Sequence, residues 1–342
     1  MTHIAQQPVD VYSVVKARHQ AMCVKIHSPL GYAVWNPADP GRVEMLTHKQ
    51  VIACFKHVMY LKPVSGTRNI EKKFITKWLA DGDKARCEAF VVEPTLPFGP
   101  LQDASMRGGM VFNKFPGFRA TYLAPVDGGD VEQLVLPLVR HVHAWIAGNH
   151  DGRTQWFLNW LANILQRPLD KHKTGLVVNG EPYYAKGILP GFFRECVLGA
   201  DCSFQTLAAK DSVFARFSVG VESVVFLQLD EELQGIGERG QLNGLITEDL
   251  FNYEERYKDP TTIRNLVNVY MTTDSTTVKD ISWKYALFDA DRMEDDEDLE
   301  YVIGLREHLA RPEVARAFYQ FLMARNLSGF KTCSLPPPIA EA

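Results

Sequence analysis

Residues Gly180 to Gly187 read G-E-P-Y-Y-A-K-G, the outline of a Walker A loop, G-x-x-x-x-G-K-[ST]. In such a loop backbone N–H groups wrap phosphate oxygens, the lysine neutralises the β and γ charges, and a following hydroxyl holds Mg²⁺. Gly180 and Lys186 supply the first glycine and the cation, and Gly187 stands where the hydroxyl belongs. Ala185 replaces the second glycine, and Pro182 removes one backbone donor. Tyr183 and Tyr184 are bulky for such a cradle. An ordinary strand–turn–helix with an incidental lysine fits the same residues. About forty residues on, Val224-Val225-Phe226-Leu227-Gln228-Leu229 runs into Asp230 and Glu231. An apolar strand ending in two carboxylates has the form of a Walker B motif. Asp230 would hold Mg²⁺ through water, and Glu231 would polarise the attacking water. A strand entering a solvated acidic loop, with Glu232 next, is the alternative. Thr272, Thr273 and Asp274 follow another apolar run, at a place suited to sensing a γ-phosphate or to a turn. Lys284 and Arg292 are candidate trans-acting cations, or surface charges. His141 and His143, two apart, share no helical face and make a poor metal pair.

These groups need elements to hold them. Gly175–Val178, Val224–Leu229, Leu266–Met271 and Tyr285–Phe288 read as apolar strands, and Ile188–Phe193 opens a helix. The pattern predicts helices over Thr47–Val58, with Thr47 as N-cap, and over Arg68–Asp81. It predicts others over Val131–Ile146, with Pro137 as a kink point, Thr154–Gln166, and Arg311–Arg325. Gly31–Trp35 and Cys87–Val92 read as strands, Met293–Glu300 as a solvated acidic run, and the Pro/Gly-rich stretch 94–109 as a linker. Trp145, Trp156 and Trp160 are either core or an apolar contact between copies.

The 342 residues are 46% hydrophobic and 23% charged, which leaves ample chain for a sizeable core. A net charge of -4 excludes a strongly basic global footprint, so a nucleic-acid contact has to be a local patch. Six cysteines form no Cys-x-x-Cys pair and read as reduced thiols of a cytoplasmic or nuclear protein. Met1–Asp10 lacks a secretory apolar region, and no apolar run approaches the ~20 residues that span a bilayer, so no membrane partner is expected.

In order, these pieces resemble the helicase part of phage and viral primase-helicases, of the superfamily-three, AAA+-like ATPases. Asn113–Phe118 resembles the N-x-[WF]-x-G-F segment before the helicase core, and Trp156–Pro168 the helix before the Walker A strand. Leu245–Glu248, L-I-T-E, resembles the segment after Walker B, and Phe318–Phe330 the C-terminal helix. Lys77–Ala80 and Phe90–Pro94 resemble the region upstream. The resemblance implies an α/β fold: an AAA+-like P-loop domain with a central, mostly parallel sheet over 110–335, a smaller α+β region over 1–109, and a flexible tail over 336–342. It implies ATP and Mg²⁺, with Gly180, Lys186 and Gly187 at the cofactor, Asp230 at the metal, and Glu231, Asp274 and Lys284 as catalytic candidates. Trp283 and Lys284 stand where the family has an arginine pair, and the residues ahead of the region are not expected to form a primase or polymerase domain. The expected function is a helicase-like protein of a DNA replication module with weak or absent hydrolysis, acting through DNA, a protein partner or self-association. An active helicase ATPase and a structural subunit of a larger complex are the alternatives.

Overall fold

A computed structural model describes residues 11–37, 39–64, 69–102, 109–180, 185–206, 221–230, 236–253, 261–273, 284–290 and 296–338. The chain divides into two compact units, Met1–Pro116 and Gly117–Ala342.

In the first unit, β1 (Cys23–Ser28), β2 (Gly31–Asn36), β3 (Asp39–Leu46), β6 (Arg86–Val91), β7 (Gly99–Gln102) and β8 (Met110–Asn113) form a six-stranded mixed sheet of order β3-β2-β1-β6-β8-β7. Strand alternation sorts the side chains. Cys23 and Tyr32 join Val15, Val51, Phe74 and Trp78 in one core, while Val24, Ile26, Ala33, Trp35, Cys87 and Phe112 form another. The helix His48–Phe55 starts as the sequence predicts: Thr47 accepts from the Gln50 backbone, and the Gln50 side chain returns the bond to Thr47. The predicted helix over Arg68–Asp81 is shorter. Only Phe74–Ala80 is helical, because Asn69–Lys73 is β5, paired antiparallel with β4 (Met59–Pro63). Cross-strand pairing overrode a helical apolar spacing. The stretch that reads as a linker supplies β7, held antiparallel to β8.

The second unit holds β9 (Gly175–Asn179), β10 (Ser203–Thr206), β11 (Phe226–Asp230), β14 (Asn268–Thr273) and β15 (Tyr285–Asp289) in one sheet of order β10-β11-β14-β9-β15. Every neighbouring pair is parallel. Such strands are buried on both faces, and their near-continuous apolar sequences reflect it. On one face the helix Asp151–Gln166 lays Phe157 and Trp160 against Tyr270, Phe288 and Phe226. On the other, Leu242 and Ile246 of the helix Ile236–Thr247 pack on Val177, Leu229, Val269 and Met271. A separate two-stranded ribbon, β12 (Leu250–Tyr253) with β13 (Thr261–Arg264), follows that helix. Trp156 and Trp160 are core residues, 7% and 0% exposed, so they offer no contact between copies.

Buried polar groups pin the amino ends of these strands. Asn268 donates to the Val225 and Leu266 carbonyls, at 2.8 and 3.1 Å, and accepts from the His172 backbone at 2.8 Å. The buried Lys171 ammonium caps the last carbonyls of Ile236–Thr247 through Leu245 and Ile246, and burial pushes it down to about 7. The helix Gly128–His141 carries Pro137 and runs into a π-turn over Val142–Ile146. The helices Asp296–Leu309 and Pro312–Met323 follow the sheet, and all six cysteines are free.

Candidate functional site

The carboxyl ends of β11, β14, β9 and β15 form one polar edge. In open parallel sheets this is the edge where ligands bind, because loops diverge there. β9 ends at Asn179, whose amide donates to Asp289 at the end of β15 at 3.0 Å. The next residue, Gly180, ties its N–H to the Thr273 carbonyl of β14 at 3.0 Å. The chain then re-enters as a 3₁₀ turn over Ala185–Gly187 and continues helically through Ile188–Phe192 and a π-turn over Phe193–Leu198. Gly199 ends that run at φ +89°, a conformation that L side chains rarely adopt.

Lys186 is half-buried in this turn. Its ammonium donates to the Gly180 carbonyl and, at 2.9 Å, to the Thr273 carbonyl. The buried Tyr270 hydroxyl donates to the Lys186 carbonyl at 3.3 Å. Burial, then the charge of Asp230, pushes that phenol far above its ordinary value, so it stays a neutral donor. Asp230 ends β11. Its carboxylate accepts from the Thr272 hydroxyl, from Gln228 at 3.1 and 3.2 Å, and from Gln205 of β10. All these donors are neutral, and among the described residues no cation pairs with Asp230. Register explains the cluster: Gln205 lies beside Gln228, and Thr272 beside Asp230, on one face of adjacent strands.

Lys186 and Asp230 thus flank the end of β14, bonded to its consecutive residues Thr273 and Thr272. A Cβ at Gly187 would meet nothing within 4 Å. A cleft of about 510 Å³ opens there, between Ile188, Phe192 and Glu195 on one helix and Arg306 and Leu309 on another.

Of the candidates read from sequence, Gly180, Lys186, Gly187 and Asp230 sit at this edge. Lys284 does not join them. It immediately precedes β15, its carbonyl accepting from the Gly175 N–H at the amino end of β9. Four residues of strand, roughly 13 Å at 3.3 Å each, separate the two ends of β9. Glu231 and Asp274 lie outside the described residues, as do Arg292 and the loop 181–184. Sequence reading missed Gln205, Gln228, Asn179 and Tyr270. The available signal was Gln228, a polar residue inside the apolar run of β11. Its side-chain oxygen is buried without a hydrogen-bond partner.

The sequence matches no known protein family and no curated protein. Solved structures do match in fold. The A form apo structure of the NrS-1 C-terminal region superposes with a TM-score of 0.61 at 14% identity, over 96% of this chain and 72% of that one. A second apo structure, of residues 305–718, gives 0.62 at 13% identity over the same shares. A third, an A form of 305–718, gives 0.62 at 15% identity, over 95% of this chain and 71% of that one. At such identities the likeness establishes a shared fold and carries no residue roles with it.

Proposed function

We propose that this chain is a helicase-like AAA+ protein of a phage- or virus-type DNA replication module, with a nucleotide site at the carboxyl edge of its parallel sheet and little or no ATP hydrolysis. The observation that carries this reading is the placement of Lys186 and Asp230 on either side of the end of β14. A cation on a loop after one strand and a carboxylate ending another, on one edge, are what phosphate and Mg²⁺ require. The fold shared with the NrS-1 C-terminal region supports the α/β architecture on which this reading rests.

The residues present fit ATP and Mg²⁺ in part. ATP would bring the phosphoryl group and Mg²⁺ the counter-charge. Lys186 would exchange its two carbonyl partners for phosphate oxygens. Asp230, without a paired cation among the described residues, suits a metal held through water. Thr272 and Gln228 fix the direction of its lone pairs, while the cleft between Ile188, Phe192 and Arg306 shares only Gly187 with this edge. The misfit is the missing hydroxyl. Gly187 and Ile188 offer none, and Ala185 and Pro182 impoverish the cradle. Losing one donor aimed at developing charge costs about 10²–10³ in rate.

Fluorescent-nucleotide binding and steady-state phosphate release test this reading together. Expected are Mg²⁺-dependent binding that Lys186→Ala weakens, and turnover below about 1% of the ~10 s⁻¹ typical of enzymes. Turnover near that rate, lost in Lys186→Ala and Glu231→Gln, means an active helicase ATPase. No binding at millimolar nucleotide means a structural subunit.

A further inference from the structure

The whole-chain charge of -4 conceals two opposed units. Met1–Pro116 carries 15 Lys and Arg against 9 Asp and Glu, a net +6. The remaining 22 Lys and Arg and 32 Asp and Glu give Gly117–Ala342 a net -10. Such asymmetry between parts of one chain marks an electrostatic binding surface in the basic part.

Three of the first unit's 15 basic groups stand together on one device, the β4–β5 ribbon. Its described strands carry Lys62, Lys72 and Lys73 against a single carboxylate, Glu71, and all four side chains are exposed. Among the described residues none of the three lysines is paired with a carboxylate. Register places Lys62 and Lys72 on one face, with Tyr60 and Ile70, and Lys73 on the other, beside Met59. The ribbon is rooted in the core. Tyr60 is 5% exposed and packs edge-on to Tyr12 at 5.2 Å. Lys77 sits over the Tyr12 ring at 3.8 Å and the Tyr60 ring at 5.0 Å, which ties the following helix to the ribbon's base. The Phe74 N–H donates to the Val58 carbonyl at 2.9 Å, closing that base.

We propose that the β4–β5 ribbon docks on duplex nucleic acid, its lysines contacting the phosphate backbone. Charge complementarity names a polyanion, and the ribbon's shape and composition name which one. A two-stranded β-ribbon fits the major groove of a duplex, and lysines on both faces reach phosphates on both of its walls. A single-strand platform needs exposed aromatics on which bases stack. The one aromatic on the described ribbon, Tyr60, is buried in the core. The contact reads no sequence, since compact ammonium groups position a duplex without distinguishing bases. It is independent of the nucleotide site and holds whether or not ATP binds.

The test is fluorescence anisotropy of the full chain with a labelled 20-base-pair duplex of arbitrary sequence, and with the corresponding single strand, titrated over NaCl without nucleotide. Expected is salt-dependent binding that favours the duplex. Lys62→Ala/Lys72→Ala/Lys73→Ala should weaken it and flatten the log–log salt slope by about 2 to 3, at roughly 0.9 for each phosphate left without its lysine. The triple arginine variant should keep the slope, which separates charge from folding. Fluorescent-nucleotide binding should be unchanged in both variants, so failure here is distinct from failure of the nucleotide site. An unaltered slope in the alanine variant, or tighter binding to the single strand, overturns the proposal. So does a concentration-dependent self-association that the alanine variant abolishes while duplex binding persists, because the ribbon's partner would then be the acidic unit of a second copy.

Discussion

Lowering the pH from 7 to 5 should destabilise the second unit through one buried imidazole. His172 is 1% exposed, its ring stacked on the Trp160 indole at 4.6 Å and 12°. Nε2 lies 2.9 Å from the Trp160 carbonyl, to which it donates, and Nδ1 is buried without a partner. Burial, the largest cause, pushes this imidazole down to about 3 from its ordinary 6.5. It is therefore neutral in the folded protein throughout the window. In the unfolded chain it takes up a proton below its ordinary value, so the unfolded state binds more protons and stability falls with pH. The contribution is fully present above pH 6.5 and is lost progressively toward pH 3. Between pH 7 and 5 the loss is about 2 kcal/mol, set by the unfolded chain alone as long as the folded value stays below 5. For a unit of this size that corresponds to about 4–8 °C in melting temperature. Urea denaturation followed by tryptophan fluorescence, at pH 7 and 5, measures it in the wild type and in His172→Gln. The glutamine amide can donate to the same carbonyl and does not titrate. The variant should be less stable at pH 7, yet lose about 2 kcal/mol less than the wild type on acidification, other titrating groups cancelling in the difference. Equal losses in the two proteins, or an NMR titration of the His172 ring above pH 5, would refute the reasoning.

Two further perturbations report on what holds the candidate edge. Gly199→Ala forces a side chain into a backbone region reserved for glycine and brings its Cβ within 3.1 Å of Arg119, so it should cost about 1–3 kcal/mol in a denaturation midpoint; an unchanged midpoint would show that the helix end after Lys186 relaxes freely. Asn268→Leu strands the His172 N–H and removes the Asn268 side-chain donor from two carbonyls, so it should cost at least about 3 kcal/mol and raise amide exchange in β11 and β14; a loss below about 1 kcal/mol would mean that water replaces the amide.

Much of the second unit was legible in the sequence. Four apolar runs, each four to six residues long, announced β9, β11, β14 and β15, because strands buried on both faces leave no room for polar alternation. Gly180, Lys186 and Asp230 stood out because a strand–loop–helix with a lysine, and a strand ending in an acid, leave local marks. The order β10-β11-β14-β9-β15 left no such mark. It is set by pairing between strands far apart in sequence, and only that order sets the end of β14 between Lys186 and Asp230. Local pattern also misjudged Asn69–Lys73, where spacing favoured a helix and pairing with Met59–Pro63 made a strand. The charge asymmetry was present in the residue counts from the start, but became a property of a surface once the chain divided near Pro116. Gln205, Gln228 and Thr272 mean little by themselves. Parallel register, which no single strand encodes, brings their three donors to one carboxylate.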